Sequence, residues 1–302
     1  MTQSWLRQPE RSTTWALRTI IWIALRVGRR AARLLLHPIS LYFLAFSIES
    51  RAASGNYLTR VLGRAPRLAE RLRHYHTFAA TILDRVFLLA GRSNDFDIDV
   101  RGESMLDELF QRNEGCILLG AHFGSFEILR AVAWRNPKKR LYVVMYEDNA
   151  RKINRALSAV NPQIADDLIP LGKPDTMLRV QEKIASGAFV GFLADRLVGG
   201  EKFLLQRFLG ARAPFPTGPF RLAATLRCPT LTMFGVYRGD RRYEVHFEPL
   251  ADPASLDRHE REPWVADCIA RYAARLERQC RDAPFNWFNF YAFWDGPRER
   301  RG

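Results

Sequence analysis

Lysine is scarce in this chain. Six of its 46 Lys and Arg residues are lysine (Lys138, Lys139, Lys152, Lys173, Lys183 and Lys202), so arginine carries most of a formal net charge of +14. A positive balance of that size favours anionic partners: nucleic acid, an anionic membrane surface or an acidic carrier protein. Cysteine is sparse as well. Cys116, Cys228, Cys268 and Cys280 form no CxxC pair and have no histidine cluster beside them. That argues against a zinc site and against a disulfide framework, in keeping with a reducing compartment. The chain has no GxSxG elbow, GxGxxG turn or P-loop, so neither the elbow-borne serine of the α/β-hydrolases nor a common nucleotide-binding loop is present. No metal, nucleotide or redox cofactor is implied. Internal repeats and low-complexity tracts are absent, and a 47% hydrophobic content over 302 residues suffices for a real core.

Long apolar runs are also missing. Thr19–Leu25 is free of charge, but Arg18 and Arg26 bracket it, and a membrane span needs about 20 apolar residues. Residues 1–35 hold seven arginines and one acid, Glu10. At 100° per residue, Arg11, Arg18, Arg26, Arg29, Arg30 and Arg33 share one sector. Ala16, Leu17, Ile20, Ala24, Val27, Ala31 and Leu35 lie opposite, with Trp15 and Trp22 near the polar edge. The pattern is that of a basic amphipathic helix lying on an anionic membrane surface. Leu34–Ile48 follows, charge-free but containing His37 and Pro38, and reads as a docking segment or a buried helix. Arg67–Leu89 reads as a further helix opened by Pro66. His74 and His76, two apart on it, face different ways.

From Asp95 the pattern changes to alternating strands and helices. Phe96, Ile98 and Val100 alternate as in a half-buried strand, and Ser104 with Asp107 fits a capping box. Strands are expected at Cys116–Gly120, Leu141–Tyr146, Leu168–Leu171, Phe189–Ala194, Thr230–Val236 and Arg242–Phe247. Helices are expected from the His122 turn to about Trp134, and at Asn149–Val160, Pro174–Ala185, Thr217–Leu226 and Glu262–Cys280. The fold class is therefore α/β, with a mixed, largely parallel sheet covered by helices. Residues 1–92 form an N-terminal membrane-associated helical region and 93–302 the α/β domain.

The stretch Cys116–Arg130, CILLGAHFGSFEILR, concentrates the chemistry. On one continuous helix His122 and Glu127 would lie about 140° apart; they meet more easily if a strand ends at His122 and a helix starts near Ser125. That puts an imidazole at a sheet-end crevice, where open α/β folds bind ligands, and an acid at a helix start, where it is favoured. His122 is the candidate general base, and Glu127 would fix its tautomer. No protein nucleophile is apparent, so the base would act on a substrate hydroxyl. Backbone N–H groups near Gly124 and Ser125 are candidates for stabilising the oxyanion. Asp195 and Arg196 end a strand, where charge is costly unless used or paired. Thr217 is a candidate N-cap before Gly218, at a helix end suited to an anion.

The ordered set His122/Glu127, Asp195-Arg196 and Pro216-Thr217-Gly218-Pro219 resembles the bacterial lipid A biosynthesis (HtrB-like) late acyltransferases of the lysophospholipid acyltransferase superfamily, over about residues 15–295. The resemblance implies a glycerol-phosphate-acyltransferase-like fold. It implies transfer of an acyl group from an acyl carrier protein or coenzyme A thioester to a hydroxyl of a membrane lipid, with no other cofactor. It further implies His122 as base, Glu127 as its partner, and a location on the cytoplasmic face of the bacterial inner membrane. Two departures stand out. Ser125-Phe126 replaces the family's usual Asn-Trp. The C-terminal FNWFNFYAFWD (Phe285–Asp295) has seven aromatics and no base, where the family tends to carry basic residues that would suit a phosphorylated acceptor. Related acyltransferases of aryl polyene pigment clusters are an alternative branch, and the aromatic segment would be core or line an acyl or polyene groove. A non-catalytic, membrane-surface lipid-binding protein and a thioester hydrolase are further alternatives. A nucleic-acid-binding protein would explain the charge but has no recognisable motif.

Overall fold

The structure, a computed structural model, describes residues 14–134, 140–146, 166–197, 200–253 and 255–295. Four helices come first: α1 (Thr14–Val27), α2 (Arg29–Phe46), α3 (Ile48–Leu62) and α4 (Leu68–Leu89). The α/β part follows: β1 (Asp97–Arg101), α5 (Glu103–Gln111), β2 (Cys116–Gly120), α6 (Glu127–Trp134), β3 (Leu141–Tyr146), β4 (Leu168–Leu171), α7 (Thr176–Ala185), β5 (Phe189–Leu193), β6 (Phe203–Phe208), β7 (Ala211–Pro216), α8 (Gly218–Leu226), β8 (Thr230–Gly239), β9 (Arg242–Ala251) and α9 (Arg261–Asp282).

Seven strands form one sheet in the order β1-β9-β8-β2-β5-β3-β4. All neighbours are parallel except β8 and β9, which form an antiparallel hairpin. The sheet is thus mixed and largely parallel, as the strand–helix alternation indicates. β2 lies inside it, between β5 and β8, and every one of its residues is buried. An unbroken apolar run is what a strand covered on both faces requires. Successive side chains alternate between the faces: Cys116 and Leu118 pack with α4, α5 and α6, whereas Ile117 and Leu119 pack with α3, α8 and α9. The helices before residue 92 therefore contribute to both cores, through Tyr57 and Leu58 on one face and Leu83 and Phe87 on the other.

Several local expectations are corrected. The basic amphipathic helix is broken at Gly28, whose φ of 96° is strained for any other residue. α2 consequently turns Arg29 inward: it is 8% exposed and paired with Asp84. Arg33 donates to the Tyr237 hydroxyl at 2.9 Å. The side chains of Trp15, Ala16, Leu17, Arg18 and Ile20 lie outside the described ones, and Arg11 outside the described residues. Ser104 does not cap α5. The helix starts at Glu103 behind Gly102, in a left-handed conformation, so Ser104 falls within it. The helix expected at Asn149–Val160 lies outside the described residues. The antiparallel pair β6–β7 lies outside the main sheet and is an addition to the expected elements. Among the described residues, no single helix is long and apolar enough to cross a membrane; α2 and α3, bent by 97°, pass that test only as a pair.

Candidate active site

β2 and β5 are adjacent and parallel, with Gly120 opposite Leu193. The Ala194 N–H donates to the Gly120 carbonyl at 2.9 Å, which extends the register past the strand ends. Two residues beyond each strand stand His122 and Asp195, side by side. His122 Nδ1 donates to Asp195 Oδ1 at 2.8 Å, and the His122 backbone N–H donates to Asp195 Oδ2 at 3.1 Å. A third donor, Trp287 Nε1–H, reaches Asp195 Oδ2 at 2.9 Å. Asp195 is 1% exposed. Burial pushes its pKa up, but His122, Arg196 and the Trp287 N–H outweigh that and hold it at about 2. An ionised carboxylate only accepts, so Nδ1 carries the imidazole proton and the lone pair is on Nε2. His122 itself is 31% exposed, enough for a substrate to reach the ring. Burial and the Arg196 cation lower its pKa below the ordinary value, with Asp195 pulling the other way. The ring is therefore neutral near pH 7, the state a general base needs.

Glu127 opens α6, as expected, but it does not make the tautomer-fixing contact. It is 5% exposed and pairs with Arg85 of α4 at 2.9 Å and Arg130 at 3.7 Å. The carboxylate on His122 comes from β5, not from α6. The reason is directional: α6 packs against α4, and its first turn carries Glu127 into that interface.

The candidate oxyanion donors are also corrected. The Gly124 N–H donates to the Asn286 carbonyl and the Ser125 N–H to the Gly235 carbonyl, both at 2.8 Å. Both are engaged within the protein. A Cβ on Gly124 would overlap the Gly235 carbonyl, so this glycine permits a backbone-to-backbone contact between the His122 loop and β8. Its φ is 57°. The cation beside the imidazole is Arg196. Its Nη2 donates to the Phe288 carbonyl at 2.8 Å, while the Phe288 N–H donates to the His122 carbonyl at 2.8 Å.

Thr217 immediately precedes α8, but its side chain does not cap the helix. Its hydroxyl donates to the Lys202 carbonyl at 3.1 Å, because β6 and β7 pair there and present that acceptor. Gly218 is the first residue of α8. Thr217 is thereby tied to the β6–β7 pair rather than to His122.

Trp287 is the site residue that sequence reasoning missed. The aromatic segment is largely core: Trp287, Phe288 and Phe293 are buried. Tyr291 and Trp294, however, line a cavity of about 310 Å³ against Ala52, Ala53 and Asn56 of α3. The Arg196 guanidinium stacks 5.2 Å from the centre of the Tyr291 ring, which links that cavity to the loop carrying Asp195.

The family described as bacterial lipid A biosynthesis acyltransferase matches residues 2–295. A search of curated proteins finds no match. By a match spanning nearly the whole chain, the protein belongs to the bacterial lipid A biosynthesis acyltransferase family, enzymes that transfer acyl groups in lipid biosynthesis.

Proposed function

We propose that the protein moves a fatty acyl group from an acyl carrier protein or coenzyme A thioester to a hydroxyl of a membrane lipid, of lipid A type or related, with His122 as general base and Asp195 as its partner. The observation that carries this reading is the 2.8 Å bond from His122 Nδ1 to a buried, ionised Asp195. The acceptor hydroxyl gives its proton to Nε2 as its oxygen attacks the thioester carbonyl carbon. Collapse of the tetrahedral intermediate breaks the C–S bond, and the imidazolium returns the proton to the departing thiolate. Asp195 holds the ring and stabilises the imidazolium. Arg196, whose charge acts on the imidazole, would stabilise negative charge on the thioester oxygen. Glu127 supports the loop by joining α6 to α4 through Arg85.

The same reading gives the N-terminal helices a surface role at the cytoplasmic face of the inner membrane. Trp22, Val27, Leu34, Leu41, Phe46 and Ile48 are each at least 58% exposed, and large apolar groups in such density suit a lipid surface. An acidic carrier protein would be drawn to the +14 surface. The test is transfer of a radiolabelled acyl group from acyl carrier protein to extracted membrane lipids. His122→Ala is expected to lower the rate by about 10²- to 10⁴-fold with its fold intact. Full activity in that variant overturns the mechanism.

A further inference from the structure

The segment following α9 is tied to the catalytic pair at one end and to the N-terminal helices at the other. Trp287 is 1% exposed and is the residue whose N–H holds Asp195 Oδ2. Its ring is boxed by Tyr57 of α3, Phe208 of β6 and Phe293, at centroid separations of 5.0, 5.2 and 5.0 Å. Its carbonyl accepts from His74 Nε2 of α4 at 2.9 Å. A carbonyl cannot donate, so Nε2 carries the proton, and His74 Nδ1 accepts from the Ser54 hydroxyl of α3 at 2.9 Å. Burial pushes the pKa of His74 down to about 4, so this neutral tautomer persists at working pH. A continuous path therefore runs from Ser54 through His74, Trp287 and Asp195 to His122.

A carboxylate turns easily about its last side-chain bond. Asp195 has to present Oδ1 to a single ring nitrogen, and a strong donor on the other oxygen fixes its plane. The His122 main-chain N–H, at 3.1 Å, is the weaker of the two donors on that oxygen. We propose that Trp287 is a positioning residue for the active site: its indole N–H locks the Asp195 carboxylate toward His122, and His74 anchors Trp287 to the N-terminal helices. The proposal rests on the reading of His122 as base. It makes α3 and α4 part of the catalytic framework as well as its covering.

Loss of the N–H has two consequences. Asp195 becomes free to turn, and its remaining charge is concentrated on fewer donors, which strengthens its hold on the imidazolium. Other titratable or charged groups face the pair: Arg196 from the same loop, Tyr291 from the C-terminal segment, and Tyr272 and Cys280 from α9. Burial raises the pKa values of the two phenols and the thiol, so none of those three titrates where His122 does.

The test compares Trp287→Phe with an enzyme carrying benzothienylalanine at position 287, which keeps the ring volume and replaces N–H by sulfur. In both, kcat is expected to fall about 10- to 100-fold, the worth of one hydrogen bond to a charged group. KM for acyl carrier protein stays nearly constant, and the acidic limb of the kcat/KM profile moves to higher pH. If Trp287→Phe fails to fold, the benzothienylalanine enzyme decides alone. An unchanged kcat and an unmoved acidic limb in that enzyme overturn the proposal. His122→Ala, run in parallel, separates the two readings. Inactivity there with a normal benzothienylalanine enzyme refutes only the role of Trp287, whereas activity there refutes the base assignment itself.

Discussion

Arg29 of α2 grips Asp84 of α4 with two parallel hydrogen bonds, Nε to Oδ1 at 2.7 Å and Nη2 to Oδ2 at 2.9 Å, where Asp84 is fully buried. The Tyr243 hydroxyl of β9 donates to the same carboxylate at 2.8 Å. Three elements meet on one acid. Removing one partner of a buried pair strands the other charge, at a cost of about 3–5 kcal/mol. Arg29→Met is therefore expected to lower stability by about that amount, measured by urea unfolding. A loss no larger than that of an exposed arginine such as Arg30 would mean that α2 is only loosely held.

His74 ties stability to pH. Its folded-state pKa of about 4 is depressed from an ordinary value of 6.5 by complete burial. Between those values the unfolded chain binds a proton that the folded chain does not. The stabilising contribution is full above pH 6.5 and is lost as pH falls toward 4, by about 3 kcal/mol in all. Unfolding curves at pH 7, 5.5 and 4.5 should show His74→Gln losing less stability on acidification than the parent protein. Identical slopes would contradict it.

Membrane docking has a surface to test. Leu34, Leu41 and Phe46 of α2 are 70%, 58% and 62% exposed. Replacing all three with serine should weaken sedimentation with anionic lipid vesicles several-fold, because each removes buried apolar area from the interface. Thermal stability should change little. Undiminished vesicle binding would place the membrane contact elsewhere.

Much of this fold is visible in local patterns. The strands leading to His122 and Asp195 are short apolar runs, and each ends two residues before its functional side chain. Absent from any local pattern is the sheet order, which makes β2 and β5 neighbours and so pairs His122 with Asp195 rather than with the nearer Glu127. The β6–β7 pair was hidden for a different reason. Its turn is Leu209-Gly210, both at positive φ, without the Asn-Gly or Asp-Gly signature of such turns, and Pro214 and Pro216 interrupt the strand pattern. Occupancy of the Gly124 and Ser125 N–H groups depends on carbonyls more than 100 residues away. Trp287 was unreadable because a buried tryptophan looks the same in sequence whether its N–H meets a core carbonyl or a catalytic carboxylate.

Asp195, not Glu127, is the carboxylate in contact with the His122 ring. That pairing is tested most directly by following His122 in histidine-labelled protein by ¹⁵N NMR across pH, in the parent, Asp195→Asn and Glu127→Gln. The expected result is an Nδ1–H tautomer in the parent, a His122 pKa that falls further in Asp195→Asn because the imidazolium loses its counter-charge, and no change in tautomer or pKa in Glu127→Gln. A titration moved by Glu127→Gln and indifferent to Asp195→Asn would contradict it.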